Sequence, residues 1–219
     1  MRKSICVLGL LVLLTASSAF ASVGADPLIG HFAFGWVGPQ GKAGDAVENG
    51  WNFSGGATFL EGPKRPIGLR ADFSYNWFYA TDQIVDSANG SGAIARVDDG
   101  FASMWTITLD GIYDFSHGRK VGGYFGLGLG MYTRYWQLTK TALVGGIWCD
   151  PWTGWCYPGT VAGDVIADSD RLTKLGYNTV LAMTFALRSG SQMYIEASYH
   201  SMDTDPATTY LPVLLGWRW

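Results

Sequence analysis

The sequence predicts an all-β protein, specifically an eight-stranded antiparallel up-and-down transmembrane β-barrel. Three observations support this prediction: an export signal at the start of the chain, alternation of apolar and polar residues along eight segments, and connections that alternate in length. The composition agrees, because 48% hydrophobic residues argues against disorder and a charged fraction of only 15% argues against a long solvated helix.

The first residues of the chain predict a secretory signal peptide. Arg2 and Lys3 supply positive charge, residues 5–14 form an apolar core too short to span a bilayer, and Ala19-Phe20-Ala21 fits a cleavage site. We expect residues 1–21 to be removed and residues 22–219 to form one barrel domain. An exported chain with a formal net charge of −3 is a poor candidate for nucleic-acid binding, so no nucleic-acid partner is expected.

Alternation with a period of two residues predicts the strands. In residues 67–79 the odd positions are apolar or aromatic, whereas the even positions include Arg70 and Asp72. Successive side chains of a strand point to opposite faces, so this pattern gives one apolar and one polar face. Similar patterns predict strands at 29–37, 51–60, 67–79, 101–115, 121–136, 175–187, 193–201 and 211–219.

The connections between these strands alternate in length. Tight turns at one end and long loops at the other are what an up-and-down barrel requires, and they match the short periplasmic turns of bacterial membrane barrels. The short links are 62–66, 116–120 and 188–191, and the long ones are 38–50, 81–100, 137–172 and 202–209.

A soluble secreted barrel of the lipocalin type is the structural alternative, with its apolar face turned inward. Two features favour the membrane barrel. The polar faces combine charged residues with many glycines, as a narrow interior requires, whereas the apolar faces are bulky. The last strand also carries an apolar residue at every second position from Leu211 to Trp219.

The signal peptide, the eight alternating strands and the terminal segment LPVLLGWRW resemble the OmpA/OmpX-type small outer-membrane barrels. The resemblance covers the mature chain and rests on pattern. It implies a Gram-negative outer-membrane location, contact with outer-membrane lipid, and an assembly signal read by the barrel-assembly machinery, with Trp219 in place of the usual terminal Phe. That signal would consist of Leu211, Val213, Leu215, Trp217 and Trp219.

Ionisable residues on the inward faces predict an ion network in the lumen. Unpaired buried charges are costly, so these groups must pair or meet water. The network either fills the lumen as a structural element or lines and gates a narrow pore. Near the turn end lie Arg70, Asp72, Asp110, Asp114, Arg188 and Arg218, and further up lie Glu196, Arg134, Lys174 and His200.

His200, Ser201 and Glu196 supply the residue types of a hydrolytic triad. Adjacent strand residues face opposite ways, so His200 and Ser201 do not serve one substrate within a strand. Outer-membrane lipid A deacylases carry His and Ser two apart, but Met202 stands at that position here. We therefore expect no catalytic residues, no cofactor and no metal site.

The long third loop carries the segment WCDPWTGWCY. Cys149 and Cys156 are the cysteines left after processing, and in an exported protein they predict a disulfide. The surrounding rings either pack together as a loop core or form a binding tip for an extracellular ligand. These rings are Trp148, Trp152, Trp155 and Tyr157.

The leading functional hypothesis is a monomeric structural or surface-interaction protein that acts through its external loops. A narrow channel for small or apolar solutes is the alternative, and a lipid-modifying enzyme is a more distant one. Fold alone does not choose among these roles, because barrels of this type serve as anchors, adhesins, channels and enzymes.

Overall fold

The computed structural model describes residues 28–59, 66–90, 97–115, 119–149, 155–187 and 190–219. Within these residues eight strands form one closed antiparallel ring in chain order, which confirms the predicted fold class. The predicted signal peptide, residues 1–21, lies outside the described residues. No helix in the described part of the chain is both long enough and apolar enough to cross a membrane.

The elements follow one another with few interruptions. They are β1 (Ile29–Gln40), a 3-10 helix (Gly41–Ala43), β2 (Gly50–Phe59), β3 (Ile67–Tyr79), α1 (Asp82–Gly90), β4 (Asp99–Asp114), β5 (Val121–Cys149), β6 (Cys156–Ala186), β7 (Gln192–Met202) and β8 (Thr208–Arg218).

The ring closes where β8 pairs with β1, from His31 opposite Arg218 to Gln40 opposite Thr209. Gly30 and Trp219 extend this ladder by exchanging backbone hydrogen bonds of 3.1 and 3.0 Å. Closure pairs the strand edges that an open sheet would expose. The end of the barrel that holds Ile29 and Arg218 is called the turn end below, and the opposite end is called the loop end.

The two faces of the wall differ sharply. Outward positions carry large apolar side chains such as Leu129 and Leu175, which are 72% and 73% exposed. Inward positions carry polar or small residues such as Asn76 and Asp110, both fully buried. An eight-stranded ring leaves an interior just wide enough for side chains to fill, so each inward residue must fit its neighbours.

The third long loop differs from the prediction, because residues 137–149 and 156–172 are strand. Beyond the pair Asp99–Thr139, β5 has no pairing with β4, yet β5 and β6 continue as a hairpin to the pair Cys149–Cys156. A register irregularity at Leu138/Thr139 marks the departure from the wall. Beyond the ring the described residues of β5 and β6 pair with each other and not with β4 or β7, so the wall imposes no alternation on them and a search for period two does not find these strands.

The loop end also contains the helix α1 within the connection predicted at 81–100. Asn89 ties the end of α1 to the start of β4, because its side chain accepts from the Val97 amide at 2.8 Å and donates to the Val97 carbonyl at 2.9 Å. The first and second connections meet where Val47 bridges Ala80. These contacts frame the mouth of the barrel.

Gly128 tests the fit of the interior. A Cβ at this position would overlap Asp110 Oδ1 and lie 2.7 Å from Asn178 Oδ1. We expect Gly128→Ala to lower the free energy of unfolding by about 1–3 kcal/mol, the usual cost of overpacking. Urea titration in detergent micelles, followed by tryptophan fluorescence and gel mobility, measures the change.

The matched control is Gly111→Ala on the outward face, where a Cβ would meet only the Leu127 carbonyl at 3.9 Å. We expect this variant to unfold at the wild-type urea concentration or above it. Equal losses in the two variants would contradict the tight fit around Gly128.

Candidate functional site

Arg70 lies at the centre of a buried charge cluster in the turn-end half of the lumen. Its Nη1 lies 2.7 Å from Glu196 Oε2, its Nε lies 2.6 Å from Asp72 Oδ2, and its Nη2 lies 3.6 Å from Asp110 Oδ2. These four residues, Arg70, Asp72, Asp110 and Glu196, are called the arginine cluster. They come from β3, β4 and β7, so the cluster ties three parts of the ring together across the lumen.

Polar neighbours add hydrogen bonds to the carboxyl groups. His31 Nε2 lies 2.5 Å from Asp72 Oδ1, and Asn178 donates to Asp110 Oδ1 at 2.8 Å. The Tyr124 hydroxyl donates to Glu196 Oε2 at 2.5 Å and accepts from Arg70 Nη1 at 3.0 Å. Buried polar groups of this kind are stable only when they are hydrogen-bonded.

The remaining predicted turn-end charges form a second contact. Arg218 Nη1 lies 3.4 Å from Asp114 Oδ2, and the Arg218 guanidinium lies 5.7 Å from the centre of the Tyr124 ring. Arg188 lies outside the described residues. A cavity beside the arginine cluster, also lined by His31 and Asn52, has a volume of about 20 Å³, about enough for a single water.

Parity predicts which charged side chains face inward but does not give their partners. Glu196, which we expected further up than the turn-end charges, bonds to Arg70. His31 and Tyr124 were missed as members of the network. Both share the inward parity of their strands, so counting every polar inward residue, and not only the formal charges, would have found them.

A neutral polar layer lies next to the cluster and surrounds His200. The His200 Nδ1 lies 3.1 Å from the Tyr132 hydroxyl, and its Nε2 lies 3.0 Å from Ser198 Oγ. The Tyr210 ring stacks on the imidazole with the ring centres 4.7 Å apart and the planes 7° apart. His200 is therefore held on both nitrogens and on one ring face.

The serine beside His200 is Ser198, which the sequence reasoning did not consider. Ser201 lies on the opposite side of β7, because the strand continues to Met202. Within the described residues no carboxylate contacts His200, and Ser198 is only 4% exposed. A hydrolytic triad needs an acid that orients the imidazole and a serine that substrate can reach, so this pair lacks two of the required features.

The loop end of the lumen holds an open pocket of about 610 Å³. Arg134 and Lys174 line it and do not join the arginine cluster, which corrects the prediction of one network. They lie several residues nearer the loop end than Arg70, beyond reach of its carboxylates. Arg134 contacts Thr208, with Nη1 3.4 Å from Oγ1.

The tip of the projecting hairpin is described in part. Its backbone register places Cys149 opposite Cys156, a spacing that suits a disulfide, which stays a prediction. Trp155 is 68% exposed. Trp152 and the side chains of Trp148 and Tyr157 lie outside the described residues, so the choice between a loop core and a binding tip stays open.

The predicted assembly signal occupies the outward face of β8 and the residue after it. Val213, Leu215 and Trp219 are exposed, and Trp219 contacts the Phe32 ring, with the ring centres 6.0 Å apart. Recognition of this segment by the barrel-assembly machinery stays a prediction. The described residues contain no group of three or more His, Cys, Asp or Glu side chains placed to hold a metal ion.

Arg70 provides a test of the cluster. Arg70→Ala leaves three buried carboxyl groups without their guanidinium, so we expect the free energy of unfolding to fall by about 3–5 kcal/mol. Urea unfolding monitored by fluorescence and by heat-dependent gel mobility measures the loss.

Arg171, an exposed arginine on β6, is the matched control. Arg171→Ala should change the stability by no more than about 0.5 kcal/mol, as is usual for surface substitutions. A similar small change for Arg70→Ala would show that the cluster does not support the fold.

Comparison with known proteins gives relatives in structure but not in sequence. No family model and no curated protein matches the chain. The structure is similar to that of Neisserial surface protein A, with 14% sequence identity and a TM-score of 0.54 over 90% of this chain and 98% of that chain. It is also similar to a major outer membrane protein from Thermus thermophilus, with 11% identity and a TM-score of 0.50 over 88% and 97% of the two chains. At such low identity the likeness shows the shared barrel fold.

Proposed function

We propose that this chain is a bacterial outer-membrane barrel that acts at the cell surface through its loop end. The observation that carries the proposal is the hairpin of β5 and β6, which continues for ten cross-strand pairs beyond the ring, from Lys140–Val165 to Cys149–Cys156. At the usual rise of a strand this is a projection of about 30 Å. A closed wall with an apolar exterior anchors it.

The exterior of the wall supports the membrane location. Soluble monomers seldom expose contiguous apolar patches of more than a few hundred Å², yet outward apolar side chains are exposed on every strand of this ring. Rings are concentrated towards both ends, as in the aromatic girdles of membrane barrels. They include Trp36, Trp51, Trp77 and Tyr79 towards the loop end and Phe32, Tyr113 and Trp219 towards the turn end.

The lumen favours an anchor over a channel. The arginine cluster joins side chains from β3, β4 and β7 across the interior. The cavity beside the cluster, of about 20 Å³, is smaller than a hydrated ion needs. The projecting hairpin lies outside this closed section, so a surface role does not require passage through the barrel.

We also propose that the chain has no catalytic role. Ser198 and His200 are enclosed in the lumen, where neither faces the lipid. Their contacts with each other and with Tyr132 satisfy buried polar atoms, which is sufficient reason for their presence.

A conductance measurement tests the closed lumen. We expect the wild-type protein to produce no stepwise current in planar lipid bilayers, because the arginine cluster blocks the path of a hydrated ion. A porin reconstituted in parallel serves as the positive control. Steady channel openings by the wild-type protein would favour the channel hypothesis instead.

Adherence tests the projecting tip. In cells that display the chain, we expect Trp152→Ser/Trp155→Ser to remove most of the adherence to apolar polystyrene, because a tryptophan at a contact often contributes about 2 kcal/mol or more. The amount of displayed protein is equalised by surface labelling.

Trp152→Phe/Trp155→Phe is the matched control, since it keeps an apolar ring at both positions. We expect this variant to retain most of the wild-type adherence. If the serine variant adheres as well as the wild type, the tip is not the contact surface.

A further inference from the structure

We propose that the pocket at the loop end is a binding site for a small amphipathic organic anion, with an apolar body and one carboxylate-type head. This goes beyond the surface role of the hairpin and uses none of the tip residues. The volume of about 610 Å³ lies within the range of about 300–1,000 Å³ that small-molecule sites occupy.

One wall of the pocket is apolar. Phe78 and Met104 are 4% and 2% exposed, and Trp136 and Leu172 pack against them as part of one buried cluster. All four side chains line the pocket. An aromatic or aliphatic body placed here would lose its contact with water at the usual gain of about 25 cal/mol per Å².

Two cations lie beside this apolar surface. Arg134 pairs with Leu172 and Lys174 pairs with Tyr132 in the register of β5 and β6, so the two cations are diagonal neighbours on the inward face. Diagonal neighbours lie about 7–8 Å apart. Like charges at this spacing repel each other, and an anion between them would relieve that repulsion.

The bonding of Arg134 leaves room for an anionic ligand. Its Nε is shielded from solvent and has no hydrogen-bond partner in the described part of the chain. Its hydrogen bond to Thr208 at 3.4 Å is long, and none of the described carboxylates forms an ion pair with Arg134 or Lys174. A buried donor without a partner is costly, and a carboxylate would satisfy it.

The outer part of the pocket limits the charge of the ligand. Lys42, Asp203 and Asp205 line it and are exposed. Together with Arg134 and Lys174 they give three cations and two carboxylates. The resulting net charge of the pocket, +1, favours a monoanion. The two aspartates at the opening would repel an anion of higher charge.

The proposal is tested by titrating the full chain in phosphatidylcholine nanodiscs with 2-naphthoate and with octanoate, using calorimetry and empty nanodiscs as the blank. We expect saturable binding of at least one anion to the protein-containing discs. Both anions combine a carboxylate head with an apolar body. The anion that binds with the higher affinity shows whether an aromatic or an aliphatic body fits the pocket better. Neutral 2-naphthamide should bind about tenfold more weakly than 2-naphthoate, which corresponds to about 1.4 kcal/mol.

Arg134→Met/Lys174→Met removes both charges and keeps an unbranched, flexible side chain at each position. We expect it to weaken anion binding by about tenfold or more, since one hydrogen bond to a charged group contributes about 1.5–3 kcal/mol. The matched control, Arg171→Met, should bind as the wild type does. Heat-dependent gel mobility verifies folding, and the single variants Arg134→Met and Lys174→Met replace the double variant if it does not fold.

Three results would overturn the proposal: no saturable binding of either anion, undiminished binding by the folded methionine variants, or equal affinity for 2-naphthamide and 2-naphthoate. The tip variant Trp152→Ser/Trp155→Ser should bind the anion as the wild type does. Loss of adherence and loss of anion binding are therefore separate outcomes.

Discussion

The narrow interior of an eight-stranded ring is the constraint on which the rest of the structure depends. Only small residues or mutually bonded polar side chains fit inside it. Gly128 lies against Asp110 because no larger residue has room there. Asp110 in turn bonds to Asn178 and lies near the Arg70 guanidinium. Packing and charge pairing in the lumen therefore depend on each other, because the glycine that provides space lies directly against a carboxylate of the arginine cluster.

The same constraint divides the lumen into three levels along its axis. Charged groups around Arg70 close the turn-end half, and the neutral contacts of His200 form a layer between them and the loop end. An apolar pocket with two cations opens beyond that layer. Polar groups that are paired inside the wall satisfy one another, whereas Arg134 and Lys174 near the mouth are left with water or a ligand. The chemical character of each level follows from its distance to solvent.

Sequence alone was sufficient for the wall and insufficient for the contacts across it. Period-two alternation holds wherever one face of a strand points outward and the other points into the lumen, so the eight strands and the inward placement of Arg70 and Asp110 were predictable. Parity carries no information about partners across the lumen, which is why the pair of Arg70 and Glu196 was not predicted and why Ser198, not Ser201, meets His200. The hairpin beyond Thr139 was predicted as loop because its strands no longer pair with the wall there, so the wall does not impose the alternation that identifies a strand.

The length of the projecting hairpin can change without a change in the barrel. Beyond the pair Asp99–Thr139 it makes no ladder with β4, and the ladder of β6 with β7 begins only at Gly176–Met202. Adding or deleting matched residue pairs between these points and the tip leaves the register of the ring unchanged. The height of Trp155 above the barrel can therefore change by about 3.3 Å for each residue pair that is added or deleted. Such a change does not alter the packing of the residues in the lumen.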